Sequence, residues 1–139
     1  MLYSSKAGAW KITDFGLTAQ GESQKANTTV YARGTSGYRA PEMIRGEHQT
    51  FTKKVDIWAL GCLLFEVFSG KKAFASDGAV LEYCILGQEL QFMRSDDQLE
   101  RDALDEILDN MLEVEPSARK SAEHFHTEFL SFLVQLQRV

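Results

Sequence analysis

The sequence contains few cysteines, no excess of positive charge and no long hydrophobic run. Its only cysteines, Cys62 and Cys84, lie in apolar stretches without Cys-x-x-Cys or histidine spacing, which predicts buried thiols in a reducing compartment. The net charge of −5 does not suggest a surface that binds a nucleic-acid backbone or an anionic membrane. The longest apolar run, residues 57–65, is shorter than the roughly 20 residues of a membrane span. Nucleic acid and membrane are therefore not expected partners.

The remaining composition is typical of one globular domain. The 139 residues are 44% hydrophobic and 25% charged. The N-terminus lacks the apolar run of a signal peptide. These features predict a cytoplasmic protein, with nuclear localisation left open.

Acidic residues are concentrated in one segment, residues 96–115, where nine acids stand against one base. A solvated helix face explains such a segment, and a docking surface for a basic partner is the alternative. The base is Arg101, and the acids are Asp96, Asp97, Glu100, Asp102, Asp105, Glu106, Asp109, Glu113 and Glu115.

The N-terminal third of the chain predicts short strands and loops. Alternating apolar and polar residues predict strands over 9–13 and 17–19, on either side of a turn. Polar, hydroxyl-rich composition predicts a loop over 20–33, and a second loop is predicted over 47–54. Between these loops, residues 42–45 are typical of a single helical turn.

The rest of the chain predicts helices. Residues 54–69 are apolar on nearly every face, which requires burial on all sides, and Gly70 is the expected C-terminal stop. Three more helices are predicted: one over 78–86 capped by Ser76 or Asp77, one opened by a capping box of Ser95 and Gln98, and one from Ser121.

Two short motifs bracket the predicted loop over 20–33. Asp14-Phe15-Gly16 ends a strand, and the glycine leaves its backbone free for unusual dihedral angles. A carboxylate at the end of a rigid strand suits a hard cation such as Mg²⁺, which takes oxygen ligands and shares them with phosphates. Ala40-Pro41-Glu42 follows after 23 intervening residues.

These two motifs resemble the D-F-G and A-P-E signatures of eukaryotic protein kinases, which bracket the activation loop. Asp56-Ile-Trp-Ala-Leu-Gly61 is similar to the family's D-x-W-[SA]-x-G segment. Pro116-Ser-Ala-Arg119 is similar to its D-P-x-x-R segment, with Glu115 in place of the usual Asp. The resemblance implies a mainly α fold, the helical C-terminal lobe of this α+β family, with a short N-terminal β-hairpin and no N-terminal lobe.

By this resemblance, residues 1–139 form one partial protein kinase domain. It comprises strands around D-F-G in 1–19, the activation segment in 20–42, a central buried helix in 54–70 and a helical base in 77–137.

The resemblance also implies roles in metal binding and regulation. Asp14 corresponds to the metal ligand. Thr28, Thr29 and Tyr31 are candidate phosphorylation sites of the activation loop, where a phosphate could order the loop against a basic group. An exposed hydroxyl-rich loop without modification is the alternative. Thr35 matches the Thr that, in Ser/Thr kinases, bonds the Asp and Lys of the catalytic loop beside the substrate-binding segment.

Three further residues correspond to structural anchors of the family. Asp56 matches the Asp that holds the catalytic-loop backbone, although a first-turn acid favoured by the helix dipole is the alternative. Glu42 is expected to pair with Arg119 through a bidentate, charge-assisted contact.

The chain contains none of the family's catalytic residues, because it has no Gly-rich loop, no phosphate-binding Lys and no His-Arg-Asp loop. Met1-Leu2 fits the two positions after the family's metal-binding Asn, which predicts that Met1 is internal to a longer reading frame. The family transfers a phosphoryl group from Mg²⁺-bound ATP to a protein Ser or Thr. This chain alone is expected to bind Mg²⁺ and ATP unstably and to be inactive. A non-catalytic kinase-like interaction module, or a truncated gene product, is the alternative.

Overall fold

The computed structural model describes residues 2–13, 16, 27–29, 34–45, 49–87, 90 and 98–136. Helices dominate these residues, and a β-hairpin precedes them, which confirms the predicted fold class. The elements in chain order are β1 (Leu2–Ser4), β2 (Ala9–Lys11), β3 (Asn27–Thr29), a 3₁₀ helix (Pro41–Met43), β4 (Gln49–Phe51), α1 (Lys54–Ser69), α2 (Asp77–Leu86), α3 (Gln98–Met111) and α4 (Ala122–Leu136).

The N-terminal hairpin differs from the one expected around the Asp-Phe-Gly turn. β2 lies within the predicted strand 9–13, but its partner is β1, in an antiparallel register that sets Tyr3 opposite Trp10. Gly8 makes the tight connection possible, because its φ of 59° is unfavourable for other residues. The predicted strand over 17–19 lies outside the described residues.

A second antiparallel pair overturns two loop predictions. β3 lies within the loop predicted over 20–33, and β4 lies within the loop predicted over 47–54. Thr28 is opposite Thr50, and Asn27 is opposite Phe51. β-branched and aromatic residues favour strands, and each three-residue strand is stabilised by its partner rather than by a local hydrophobic period.

Helix α1 is the centre of the described structure and has the bounds that the sequence predicts. Gly70 ends it in the left-handed conformation, with φ of 72°, and its N–H donates to the carbonyl of Glu66. Trp58 and Cys62 are almost fully buried. None of the described helices is both long and apolar enough to cross a lipid bilayer.

The core on one side of α1 is aromatic. The Trp58 ring stacks on Phe74 at a centroid distance of 5.6 Å, and Tyr83 meets both rings edge-on. Ala40 and Met43 join this cluster from the 3₁₀ helix region. The cluster therefore packs the segment around Ala-Pro-Glu directly against α1 and α2.

The other side of α1 packs against α3 and α4. Ile57, Ile107, Met111 and Phe125 form this second cluster. Gly61 permits the close approach, because a Cβ atom there would lie 2.9 Å from the Cβ of Met111. The predicted helices α2, α3 and α4 are all present in the part of the chain described, and Ser95 of the predicted capping box lies outside it.

Candidate functional site

A buried ion pair joins the Ala-Pro-Glu motif to the segment before α4. Arg119 NH1 lies 2.8 Å from Glu42 Oε1, and Arg119 NH2 lies 3.1 Å from Glu42 Oε2. The Arg119 side chain has no exposed surface, and that of Glu42 is 12% exposed. The structure thus brings together two residues that are 77 positions apart, in the bidentate geometry expected of them.

The remaining donors of Arg119 bind backbone carbonyls. Nε donates to Glu113 at 2.9 Å, and NH1 also donates to Lys54 at 2.8 Å. The guanidinium lies over the Trp58 ring, 5.2 Å from its centroid. In return, Lys54 Nζ donates to the Arg119 carbonyl. Burial, together with the Arg119 charge, lowers the pKa of Lys54. Arg119 therefore ties the 3₁₀ helix, α1 and the 113–119 segment together.

The segment of residues 34–39, directly before Ala-Pro-Glu, folds as a tight turn. The Tyr38 N–H donates to the Thr35 carbonyl at 3.1 Å, and Arg39 Nε donates to the Gly34 carbonyl at 2.9 Å. Gly37 has φ of 83°, and a Cβ there would lie 2.5 Å from the carbonyl oxygen of Phe74. The turn is therefore pressed against the chain that leads into α2.

Asp77 binds this turn from the first position of α2. Its Oδ1 accepts from the Gly37 N–H at 3.0 Å, and its Oδ2 accepts from Arg39 NH1 at 2.6 Å. The Asp77 N–H donates to Ser36 Oγ at 3.1 Å. We call these four residues the Asp77 cluster. Partial burial acts to raise the pKa of Asp77, but these hydrogen bonds and the Arg39 charge outweigh it and lower the pKa.

A second contact fixes the turn to the end of α1. The Tyr38 hydroxyl donates to Glu66 Oε2, and the Lys72 ammonium lies 5.7 Å from the centroid of the Tyr38 ring. The hydrogen bond to Glu66, and then burial, raise the pKa of Tyr38 to about 12. The tyrosine is therefore a neutral donor at physiological pH.

An open recess of about 400 Å³ lies between the turn and the start of α1. Thr35 and Asp56 line it from opposite elements, and Thr35 is exposed. Within the described residues, no group donates a hydrogen bond to the Asp56 carboxylate. Asp56 as a whole is exposed, but partial burial of its carboxylate raises its pKa. The recess thus presents a hydroxyl and a carboxylate that is open to a hydrogen-bond donor from outside the described residues. Its lining residues are Gly34, Thr35, Tyr38, Arg39, Ala40, Met43, Val55, Asp56 and Ala59.

The other predicted site residues are not among the described residues that line this recess. Asp14 and Tyr31 lie outside the described residues, and Thr28 and Thr29 lie in β3. No three His, Cys, Asp or Glu side chains of the described residues converge to hold a metal ion. The structure also contains acidic side chains along α3, where Asp102, Glu106 and Asp109 are exposed. Exposed acids of this kind fit both the solvated face and the docking surface for a basic partner that the sequence predicts as alternatives.

Sequence reasoning did not identify the Asp77 cluster or the Tyr38–Glu66 contact. Both join residues that lie 28 to 41 positions apart. The one available signal was the pair Ser76-Asp77, either of which could cap α2. Ser76 is the residue that caps the helix, since its Oγ accepts from the Ala79 N–H at 3.3 Å. The Asp77 carboxylate is thereby left to bind the turn.

Comparison with known families agrees with this geometry. The model of the protein kinase domain matches residues 1–130. The chain therefore belongs to the protein kinase family, which confirms the resemblance of its motifs.

Relatives include serine/threonine kinases from fungi and a nematode. MAP kinase kinase kinase mkh1 of Schizosaccharomyces pombe is 34% identical over 59% of this chain and 7% of its own length. Serine/threonine-protein kinase BCK1/SLK1/SSP31 of Saccharomyces cerevisiae is 32% identical over 83% of this chain and 8% of its own length. Serine/threonine-protein kinase chk-2 of Caenorhabditis elegans is 36% identical over 81% and 23%, respectively. The chain thus spans less than a quarter of the length of these relatives.

Proposed function

We propose that this chain is the C-terminal-lobe part of a Ser/Thr protein kinase, which transfers the γ-phosphate of ATP to Ser or Thr hydroxyls of a protein substrate. The observation that carries the proposal is the buried Glu42–Arg119 pair, which holds the Ala-Pro-Glu segment rigidly beside the recess. Thr35 and Asp56 face that recess from two elements, where a catalytic loop would need a hydrogen-bonding frame.

The residues of this chain position the catalytic loop and do not take part in the reaction themselves. Asp56 accepts hydrogen bonds from the catalytic-loop backbone, and Thr35 bonds the side chains that the loop carries. In the family, ATP with Mg²⁺ supplies the phosphoryl group, and the parts that hold it are the Gly-rich loop, a strand Lys and the catalytic-loop Asn. These parts are not among the 139 residues. Asp14 is the one metal ligand that the resemblance assigns to this chain.

We infer from this that the 139-residue polypeptide transfers no phosphate by itself. Catalysis in this class is the joint effect of positioning and charge stabilisation by several groups. One carboxylate is a poor Mg²⁺ site without phosphates or a second ligand. Incubation with Mg²⁺-bound ATP should neither label a generic protein substrate nor shift the unfolding temperature. Transfer at a rate that Asp14→Ala abolishes would contradict this inference.

A chimaera tests the kinase assignment itself. The part of the chk-2 kinase domain that precedes its match to this chain is joined to residues 2–139. The chimaera is expected to phosphorylate Ser or Thr in a protein substrate, because this chain supplies the rest of the lobe. Asp56→Asn should lower the rate, whereas Glu82→Gln on the exposed face of α2 should leave it unchanged. A folded chimaera without activity would count against the assignment.

The unpaired thiols support a reducing compartment. Cys62 and Cys84 are both free, and burial raises the pKa of Cys62 to about 12. We propose a cytoplasmic or nuclear location on this basis. Detection of the endogenous protein in separated cell fractions tests this proposal, and its recovery from the secreted fraction would contradict it.

A specific observation favours a non-catalytic interaction module as the second candidate. Leu60 and Val67 are 36% and 62% exposed on α1, the helix that also carries the unpartnered Asp56. These two apolar side chains lie two turns apart on one helix and offer a second polypeptide an apolar contact beside Asp56. If this candidate holds, Leu60→Lys should abolish capture of a kinase fragment containing the catalytic loop, while the chimaera described above stays inactive.

A further inference from the structure

Lys72 lies beside the turn of residues 34–39 but belongs to none of the four motifs that carry the family resemblance. Its ammonium is 5.7 Å from the centroid of the Tyr38 ring, within the range of a cation–π contact. We propose that Lys72 is a specificity-determining residue, which favours protein substrates that carry an Asp or Glu close to the phosphorylated Ser or Thr. The proposal rests on the proposed function, since it takes this turn to lie beside a bound substrate.

The loop that carries Lys72 is fixed at both ends. Before it, Gly70 ends α1 in the left-handed conformation and donates its N–H back to the helix at 2.9 Å. After it, Phe74 is buried and stacks on Trp58. Residues 71–73 connect these two fixed points, so the backbone of Lys72 is held in place at the end of α1.

The turn lies directly against this loop. A Cβ atom on Gly37 would be 2.5 Å from the carbonyl oxygen of Phe74. The next residue, Tyr38, lines the recess together with Thr35 and also contacts Lys72 through its ring. The ammonium therefore lies one aromatic side chain away from the recess. We infer that a polypeptide bound along the turn can reach it.

The charge of Lys72 has no ion-pair partner in the described part of the chain. Lys72 is exposed, and among the described residues its ammonium forms no salt bridge with a carboxylate. Neighbouring charged groups are engaged, since Arg39 pairs with Asp77 at 2.6 Å and Glu66 accepts from the Tyr38 hydroxyl. A substrate carboxylate can thus pair with Lys72 without displacing an existing ion pair. Because the new pair would be exposed to water, we expect it to change affinity only about threefold.

The chk-2 chimaera tests this preference. Peptides with one Asp at each position flanking the acceptor are compared with peptides that carry the isosteric Asn there. At one or more of these positions the KM should be about threefold lower for the Asp peptide. Lys72→Gln should remove this difference and leave the KM for ATP unchanged. Lys71→Gln is the matched control and should keep the preference, because it removes the same charge from an exposed neighbour whose described hydrogen bonds are backbone contacts with Ser69.

Charge reversal distinguishes substrate recognition from a structural role. Lys72→Glu should invert the preference, so that a peptide with Lys at the same position is favoured about threefold over the Asn peptide. A residue that only supported the turn would not invert the preference. High salt should reduce both preferences, since exposed ion pairs are screened. An equal rise in KM for all peptides, without inversion, would overturn the specificity role.

Peptide binding to the 139-residue chain tests the contact without any catalytic activity. Fluorescence polarisation compares a labelled peptide that has Asp on both sides of its Ser with the corresponding Asn peptide. The native chain should bind the Asp peptide at least about threefold more tightly. Lys72→Gln should abolish the difference, and Lys71→Gln should retain it. Equal affinity of the native chain for the two peptides would overturn the contact.

The outcomes separate the two proposals. An active chimaera with equal KM for Asp and Asn peptides overturns the specificity role alone, and so does a preference that Lys71→Gln removes as fully as Lys72→Gln. A chimaera that is inactive with native Lys72 defeats the proposed function, and with it the specificity role. The polarisation experiment then still decides whether Lys72 binds a carboxylate.

Discussion

Arg119 and Asp56 are two charged side chains with the same expected role, and their surroundings are opposite. Arg119 is buried, and it donates to Glu42 and to two backbone carbonyls. Asp56 is exposed at the recess, and within the described structure it accepts no hydrogen bond. The contrast shows that the chain itself supplies the hydrogen-bond partners of Arg119. We propose that the hydrogen-bond donors to Asp56 come from a second segment, the catalytic loop.

Loss of Arg119 should have the largest effect. Arg119→Ala is expected to cost about 3–5 kcal/mol of the unfolding free energy, because the carboxylate of Glu42 is left buried and unpaired. Urea denaturation measures the cost. Lys120→Ala, at the exposed neighbouring position, is the control and should change little. If Arg119→Ala lowered the unfolding free energy no more than Lys120→Ala does, Arg119 would not be the stabilising anchor that distinguishes it from Asp56.

A methyl group on Gly37 should have the next largest effect. Gly37→Ala is expected to cost about 2–3 kcal/mol, since it adds backbone strain and a collision with the Phe74 carbonyl. Gly8→Ala is the matched control, because Gly8 also has positive φ but its added Cβ would meet nothing within 4 Å. That variant should lose only the strain, about 1–2 kcal/mol. A Gly8 cost as large as that of Gly37 would show that the turn is not in close contact with the chain that leads into α2.

Removal of the Asp77 charge should have a smaller, pH-dependent effect. The pKa of Asp77 is lowered in the folded chain, so its contribution is fully present above the unfolded value of 3.8 and is lost as pH falls through the folded value. Asp77→Asn should cost about 1 kcal/mol at neutral pH and less in acid. Denaturation curves recorded across acidic pH measure this difference. A cost that grows as pH falls would contradict the assigned hydrogen bonds.

Asp56→Asn should have the smallest effect. The raised pKa of Asp56 means that folding disfavours its charged form. The free energy of unfolding of the native protein should therefore fall as pH rises above 3.8. The substitution should change the unfolding free energy by less than about 1 kcal/mol. Between acidic and neutral pH, the free energy of unfolding of Asp56→Asn should rise relative to that of the native protein. A large loss at neutral pH would reveal a partner for Asp56 within the chain.

Local patterns predicted the helices well. The run of apolar residues and the stop at Gly70 gave both ends of α1, because a buried helix and its glycine cap leave strong local signals. The strands were harder to predict. The sequence did not predict β1, β3 and β4, which have three residues each, because a pairing partner rather than a hydrophobic period stabilises them.

Long-range contacts could be predicted only where both residues belong to recognisable motifs. The Glu42–Arg119 pair could be predicted because both residues lie in recognisable motifs, although they are 77 positions apart. The contact of Asp77 with Arg39 spans 38 positions without a motif at Asp77, so the sequence offered no reason to join the two. Composition could not locate the recess either, since its lining comes from the turn, the 3₁₀ helix and α1.

Hydrogen exchange measured on the 139-residue chain and on the chk-2 chimaera tests the central contrast most directly. We predict that the amides of Met43, Ile44 and Arg45 are equally protected in both proteins, because their hydrogen bonds lie in the segment that the Glu42–Arg119 pair already holds. Amides around Asp56, at the recess, should gain protection only in the chimaera. Protection of residues 43–45 that appears only in the chimaera would contradict the claim that the chain itself fixes this segment.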